Sequence, residues 1–226
     1  MRWTVPNILT VARLIAVPLL PIVFLFFARP WADYYAIAVF MLASLTDWVD
    51  GYLARRLGQE SLFGAAMDPI ADKALVLMAL LVITAYSGLA VWIVLPAGII
   101  IFREIFVSGL RETLGDKSRL LKVTNLAKWK TTVQMVALTL LFAKGVFEHY
   151  VGMQSFGMDQ EMFDAVISGA TEDELGLRWK LTGMNWTGNA GVILLWGAAL
   201  LTAITGVEYF RKALPFLKEP EEKKDD

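Results

Sequence analysis

Asp47 and Asp50 stand three residues apart, and Asp68 and Asp72 stand four apart. In a helix either spacing puts both carboxylates of a pair on one face, so two antiparallel helices could oppose all four. Four anionic groups in one place repel each other unless cations sit among them. The chain has no Cys and a single His, and hard oxygen donors without nitrogen or sulfur favour Mg²⁺ or Mn²⁺ over zinc or copper. The pattern reads as a site for two divalent cations.

The residues around these acids extend the chemistry. Gly51 follows Asp50, and Ala54 lies one helical turn beyond it, so the helix surface beside the carboxylates is free of bulk. Arg55 adds a planar guanidinium that can grip a phosphate through two parallel hydrogen bonds. Gly64 precedes Asp68 by four residues, where it can serve a turn. Metal, open surface and guanidinium together describe a pyrophosphate-binding site. The lack of Cys excludes disulfides, thiolate metal sites and a cysteine nucleophile. His149, at the end of an apolar block, has no catalytic role in this reading.

The elements that carry these residues are membrane helices. Of 226 residues, 57% are hydrophobic, more than soluble domains usually contain. They fall in six blocks, at about 7–28, 34–55, 68–86, 90–110, 130–147 and 189–210, each close to the ~20 residues a span requires. Lys and Arg total 21 against 22 Asp and Glu, a balance that gives no electrostatic reason to expect a nucleic-acid partner.

Basic residues cluster on alternate sides of the blocks: Arg2, then Arg55 and Arg56, then the run from Arg111 to Lys130, then Arg211 and Lys212. The positive-inside rule puts these segments, both termini and the acid pairs on the cytoplasmic side. The expected fold is all-α: a polytopic membrane protein of six transmembrane helices in one domain, residues 1–218. Residues 148–188, rich in Asp and Glu, form an extracytoplasmic insertion with short interfacial helices at 160–167 and 172–179. Residues 219–226 form a charged, disordered tail.

An acid at the centre of a spanning helix costs roughly 2.5–3.5 kcal/mol on insertion scales. Solvation at the interface accounts for one Asp but not for the spacing of four. The full pattern, D-x2-D-G-x2-A-R-x8-G-x3-D-x3-D, is met by Asp47, Asp50, Gly51, Ala54, Arg55, Gly64, Asp68 and Asp72. With these residues the chain resembles the CDP-alcohol phosphotransferases. The segments Pro6 to Arg13, Arg103 to Glu112 and Lys128 to Gln134 make it similar in particular to the bacterial phosphatidylglycerophosphate synthases.

The resemblance implies that Asp47, Asp50, Asp68 and Asp72 hold two Mg²⁺ or Mn²⁺ ions, with Asp72 also the base. It implies that Gly51, Ala54 and Arg55 line a CDP pocket with Gly64 against the nucleotide, and Asn7, Thr10 and Arg13 are further candidates for its nucleotide end. The implied reaction joins CDP-diacylglycerol and sn-glycerol 3-phosphate into phosphatidylglycerol phosphate and CMP, in a homodimer of the bacterial cytoplasmic (inner) membrane whose active site faces the cytoplasm. Metals would neutralise the pyrophosphate, and a carboxylate would take the proton of the attacking hydroxyl. Because the acceptor is itself a phosphate, a second cationic pocket is expected, with Arg103, Arg111, Lys128 and Lys130 as candidates.

Three rivals remain at the level of sequence. The same metal site could serve another acceptor, of the cardiolipin, serine or inositol-phosphate type. A membrane prenyltransferase also pairs acidic helices with Mg²⁺ and pyrophosphate, but favours D-x3-D motifs in both halves. A cation transporter would hold its acids near the membrane midplane on broken helices.

Overall fold

The computed structural model describes residues 5–57, 62–115 and 126–217. Among them the regular structure is helical throughout: α1 (Val5–Phe26), α2 (Trp31–Leu57), α3 (Leu62–Tyr86), α4 (Val91–Leu114), α5 (Leu126–Gln154), α6 (Gln160–Ser168) and α7 (Leu177–Leu217). The tail at 219–226 and the basic residues Arg2, Lys117, Arg119 and Lys122 lie outside the described residues. The chain is a multi-pass membrane protein. Four described helical stretches are long and apolar enough to cross a bilayer, Asn7–Phe26, Val91–Leu114, Trp129–Gln154 and Leu177–Leu217, and Trp31–Ala43 of α2 is a shorter apolar run. Large side chains such as Phe102, Ile193 and Ile204 point outward from these helices, as a lipid solvent permits.

Bonds between helices fix their directions. The Tyr86 hydroxyl donates to the Phe24 carbonyl at 2.7 Å, while Thr10 reaches Asp68 near the starts of the same two helices. The α1 and α3 helices are therefore parallel. Gly88, at φ +61°, takes the left-handed backbone that turns the chain from α3 into α4. Lys73 of α3 then meets Ser108 of α4, and Glu104 of α4 meets Lys130 of α5. One end of the bundle consequently gathers the starts of α1, α3 and α5 and the ends of α2, α4 and α7.

The core joins Phe24, Phe40 and Phe142, whose ring centroids stand 5.6 and 6.0 Å apart in sequence order around Phe142. Leu80, Ile100, Leu138 and Leu195 pack with them, fully buried. Where α5 crosses α7, small residues let the backbones approach. A Cβ added at Gly191 would stand 2.9 Å from Leu141, and one at Gly183 would stand 2.8 Å from Phe147.

The segment expected to be an insertion is shorter as irregular chain than the sequence suggests. Residues 148–154 continue α5, and residues 177–188 open α7. The short helix expected at 160–167 is α6, capped by the Asp159 carboxylate accepting from the Met162 N–H at 2.8 Å. The second, expected at 172–179, does not exist as a separate helix. Asp173 instead accepts from the N–H groups of Leu177 and Arg178, and this cap starts a helix that runs 41 residues without a break. At ~1.5 Å per residue that is roughly 60 Å, about twice the hydrocarbon core, so α7 extends well beyond the predicted span at 189–210.

Candidate active site

All the predicted site residues that the structure describes lie at the end of the bundle where α1, α3 and α5 begin. Asp68 and Asp72 project from one face of α3 and are tied to α1. Thr10 donates from Oγ1 to Asp68 Oδ1 at 2.7 Å, and Arg13 donates from Nη1 to Asp72 Oδ1 at 2.8 Å. Nη2 of Arg13 reaches Thr46 of α2 at 2.8 Å, one residue before Asp47. Asn7, Thr10 and Arg13 are buried, and Gly64 is buried at the start of α3. Arg13 thus has a structural assignment that its sequence position leaves open: it clamps an acid of the signature to the two neighbouring helices.

Asp47, Asp50, Gly51, Ala54 and Arg55 belong to the last turns of α2, at the same end. Their side chains lie outside the described residues, so the convergence of four carboxylates is not among the observed contacts. Among the described residues alone, no three acidic or His side chains gather as a metal cage.

Beside Asp72 opens a cavity of about 260 Å³ between α3, α4, α5 and α7. It brings together Asp72 and three of the four cations predicted for an acceptor phosphate: Arg103, Arg111 and Lys130. The fourth, Lys128, is in the first turn of α5 with its side chain outside the described residues. Arg111 lies over the Tyr209 ring, 5.3 Å from its centroid. Arg103 stretches across α7 because Gly206 has no side chain; a Cβ there would stand 2.9 Å from Arg103 Cγ. Its Nη2 then reaches Thr205 at 3.3 Å.

Four further charges in this cavity, Lys73, Glu104, Glu208 and Lys212, have no counterpart in the predicted site. Glu104 accepts from Lys130 at 2.6 Å and from Arg103 at 2.9 Å, all three side chains being largely buried. Lys73 donates to the Ser108 hydroxyl at 2.6 Å. The signals were present in the sequence: an acid inside the apolar run of α4 needs a partner, and Lys73 adjoins Asp72. Counting every lining residue, five bases (Lys73, Arg103, Arg111, Lys130, Lys212) face three acids (Asp72, Glu104, Glu208). The excess positive charge suits an anionic ligand.

The family model for CDP-alcohol phosphatidyltransferase matches residues 3–166. The chain belongs to this family. The match takes in the whole signature on α2 and α3, the Thr10 and Arg13 clamp on α1, and Glu104 and Lys130. Among curated proteins, the chain is 53% identical over 222 residues to the CDP-diacylglycerol--glycerol-3-phosphate 3-phosphatidyltransferase of Cereibacter sphaeroides, covering 97% of this chain and 99% of the relative. Coverage that wide necessarily takes in most of residues 148–188. Proteins of the same name from Wigglesworthia glossinidia brevipalpis and Escherichia coli are 45% and 40% identical, over 65% and 69% of this chain and 81% and 86% of their own lengths. For a CDP-alcohol phosphatidyltransferase, the arrangement puts an acid of the family signature and a cationic pocket within one cavity.

Proposed function

We propose that this chain transfers the phosphatidyl group of CDP-diacylglycerol to sn-glycerol 3-phosphate, releasing CMP. The observation that carries this reading is the juxtaposition of Asp72 with Arg103, Arg111 and Lys130 in a single cavity. An acceptor with a reacting hydroxyl at one end and a phosphate at the other needs a carboxylate and a cationic pocket within one cavity. The relatives' shared enzyme name supports the same acceptor.

In this reading Asp72 takes the proton of the acceptor's primary hydroxyl, whose oxygen bonds to the lipid phosphorus as the bond to CMP breaks. Arg103, Arg111 and Lys130 orient the acceptor phosphate, and Glu104 holds two of those cations in place. Asn7, Thr10, Gly64, Gly51, Ala54 and Arg55 form the CDP pocket. The donor set fits hard divalent cations: Asp68 and Asp72 offer carboxylate oxygens from one face of α3, and Asp47 and Asp50 lie on α2, the helix to which Arg13 also bonds. Two Mg²⁺ or Mn²⁺ ions held by these four acids would supply charge neutralisation for the pyrophosphate. The site opens to the cytoplasm from a six-span bundle in a bacterial inner membrane, and the working unit is a homodimer.

Purified protein with CDP-diacylglycerol and Mg²⁺ tests the assignment when offered labelled glycerol 3-phosphate, serine or inositol phosphate. CMP release is expected with glycerol 3-phosphate alone and should stop with chelator. Release with one of the others instead would keep the chemistry and replace the acceptor. No release with any of them would overturn phosphatidyl transfer.

A further inference from the structure

Gln134 lies on α5, one turn after Lys130 and on the same helix face, and it lines the cavity that holds Asp72. The residue is 3% exposed, and its amide nitrogen Nε2 is buried with no hydrogen-bond partner. Nε of Arg103 and the hydroxyl of Tyr209, which line the same cavity from α4 and α7, are likewise buried without partners. Buried polar atoms are almost always satisfied in folded proteins. Three exceptions around one cavity mark a lining that a ligand completes.

The chemistry of Gln134 selects which part of the ligand. The phosphate of the acceptor has charged partners in Arg103, Arg111 and Lys130, and its reacting hydroxyl has Asp72. The secondary hydroxyl has none of these. A neutral amide both donates and accepts, which matches a hydroxyl and is a weaker match than a cation for a phosphate. We propose that Gln134 hydrogen-bonds the secondary hydroxyl of the three-carbon alcohol phosphate and so sets acceptor specificity. The inference rests on the proposed reaction and goes beyond it by naming the residue that reads the group not consumed.

The test compares sn-glycerol 3-phosphate with 3-hydroxypropyl phosphate, which keeps the phosphate and the primary hydroxyl but lacks the secondary one. A site built to bond a hydroxyl discriminates against the analogue that lacks it. The wild-type protein should therefore favour glycerol 3-phosphate by about tenfold or more in kcat/KM. Gln134→Met, of similar volume but unable to hydrogen-bond through an amide, should bring the ratio near one. Each ratio is internal to one protein, so it is insensitive to the fraction folded. If turnover of the variant is too low, calorimetric dissociation constants of the two alcohol phosphates supply the same ratio. An unchanged ratio in Gln134→Met, as a glutamine bound only to water would give, overturns the inference, as does a wild-type enzyme that uses both acceptors equally. A wild-type protein that releases no CMP with glycerol 3-phosphate would instead overturn the reaction on which the inference rests.

Discussion

Charged side chains are buried at both ends of this bundle, and the two ends handle them differently. At the end opposite the aspartates, the fully buried Asp33 is gripped by Arg29 through Nε and Nη2 at 2.7 and 2.8 Å. The same guanidinium lies 5.0 Å from the centroid of the Tyr86 ring and 3.6 Å from Glu148. It also presses against Gly145, where a Cβ would collide with it. A cavity of about 290 Å³ adjoins this cluster, yet none of the residues lining it holds a buried polar atom without a partner. At the aspartate end, three lining residues do, and the bases outnumber the acids. Arg29 joins α2, α3 and α5 with its partners in place, whereas the lining of the other cavity keeps three buried polar atoms without partners, which the proposed acceptor would complete. Burial of charge alone does not distinguish the two cavities; incomplete pairing along their linings does.

Substitutions at the two ends should therefore fail in different ways. The largest effect is expected from Asp72→Asn, which should lower kcat by about 10²–10⁴ with little change in the KM for CDP-diacylglycerol if Asp72 is the base. Rates of CMP release measured across Mn²⁺ concentrations check this, and recovery of rate at high Mn²⁺ would reduce Asp72 to a metal ligand. At the far end, Arg29→Ala strands a buried carboxylate and should cost about 3–5 kcal/mol of stability. Thermal unfolding in detergent should show the loss, and the KM values of the surviving protein should stay at wild type. A raised acceptor KM there would erase the distinction between the ends.

Arg103→Ala or Arg111→Ala should raise the KM for glycerol 3-phosphate about tenfold, the equivalent of a lost charged hydrogen bond at roughly 1.5–3 kcal/mol. The KM for the lipid donor, measured in the same assays, should move much less. If neither variant changes the acceptor KM, Lys130 and Lys128 are the next positions to examine.

The smallest effect concerns the cap of α7. The N–H of Arg178 foremost, then that of Leu177 and the Arg178 side chain, hold the Asp173 carboxyl below the usual carboxylate range, against an opposing effect of desolvation. A lowered folded-state pKa stabilises the first turn of α7 fully above the ordinary value of about 3.9, and that contribution fades as pH falls through the lowered value. Hydrogen exchange at Leu177 and Arg178 should accelerate over that acidic window in the wild type. It should show no such pH step in Asp173→Asn. The acceptor KM should be the same in both proteins.

Residue spacing along one helix was enough to place much of this molecule. Asp68 and Asp72 share a face because four residues make about one turn, and the apolar blocks are helices because a bilayer offers the backbone no other partner. Among the acceptor candidates, Arg103 stood out because charge is rare inside an apolar run, and Arg111, Lys128 and Lys130 because they are cations on the basic side of the spans. The limits of α7 were not legible, because a capped helix continues past the membrane as readily as within it. Nor were the partnerships: Arg13 with Asp72 spans 59 residues, Lys130 with Glu104 spans 26, and Arg103 with Thr205 spans 102. Helical periodicity says which side chains share a face, but which faces meet depends on how small residues such as Gly191 and Gly206 let the helices approach. That packing put Glu104 between two cations and left the amide nitrogen of Gln134 without a partner.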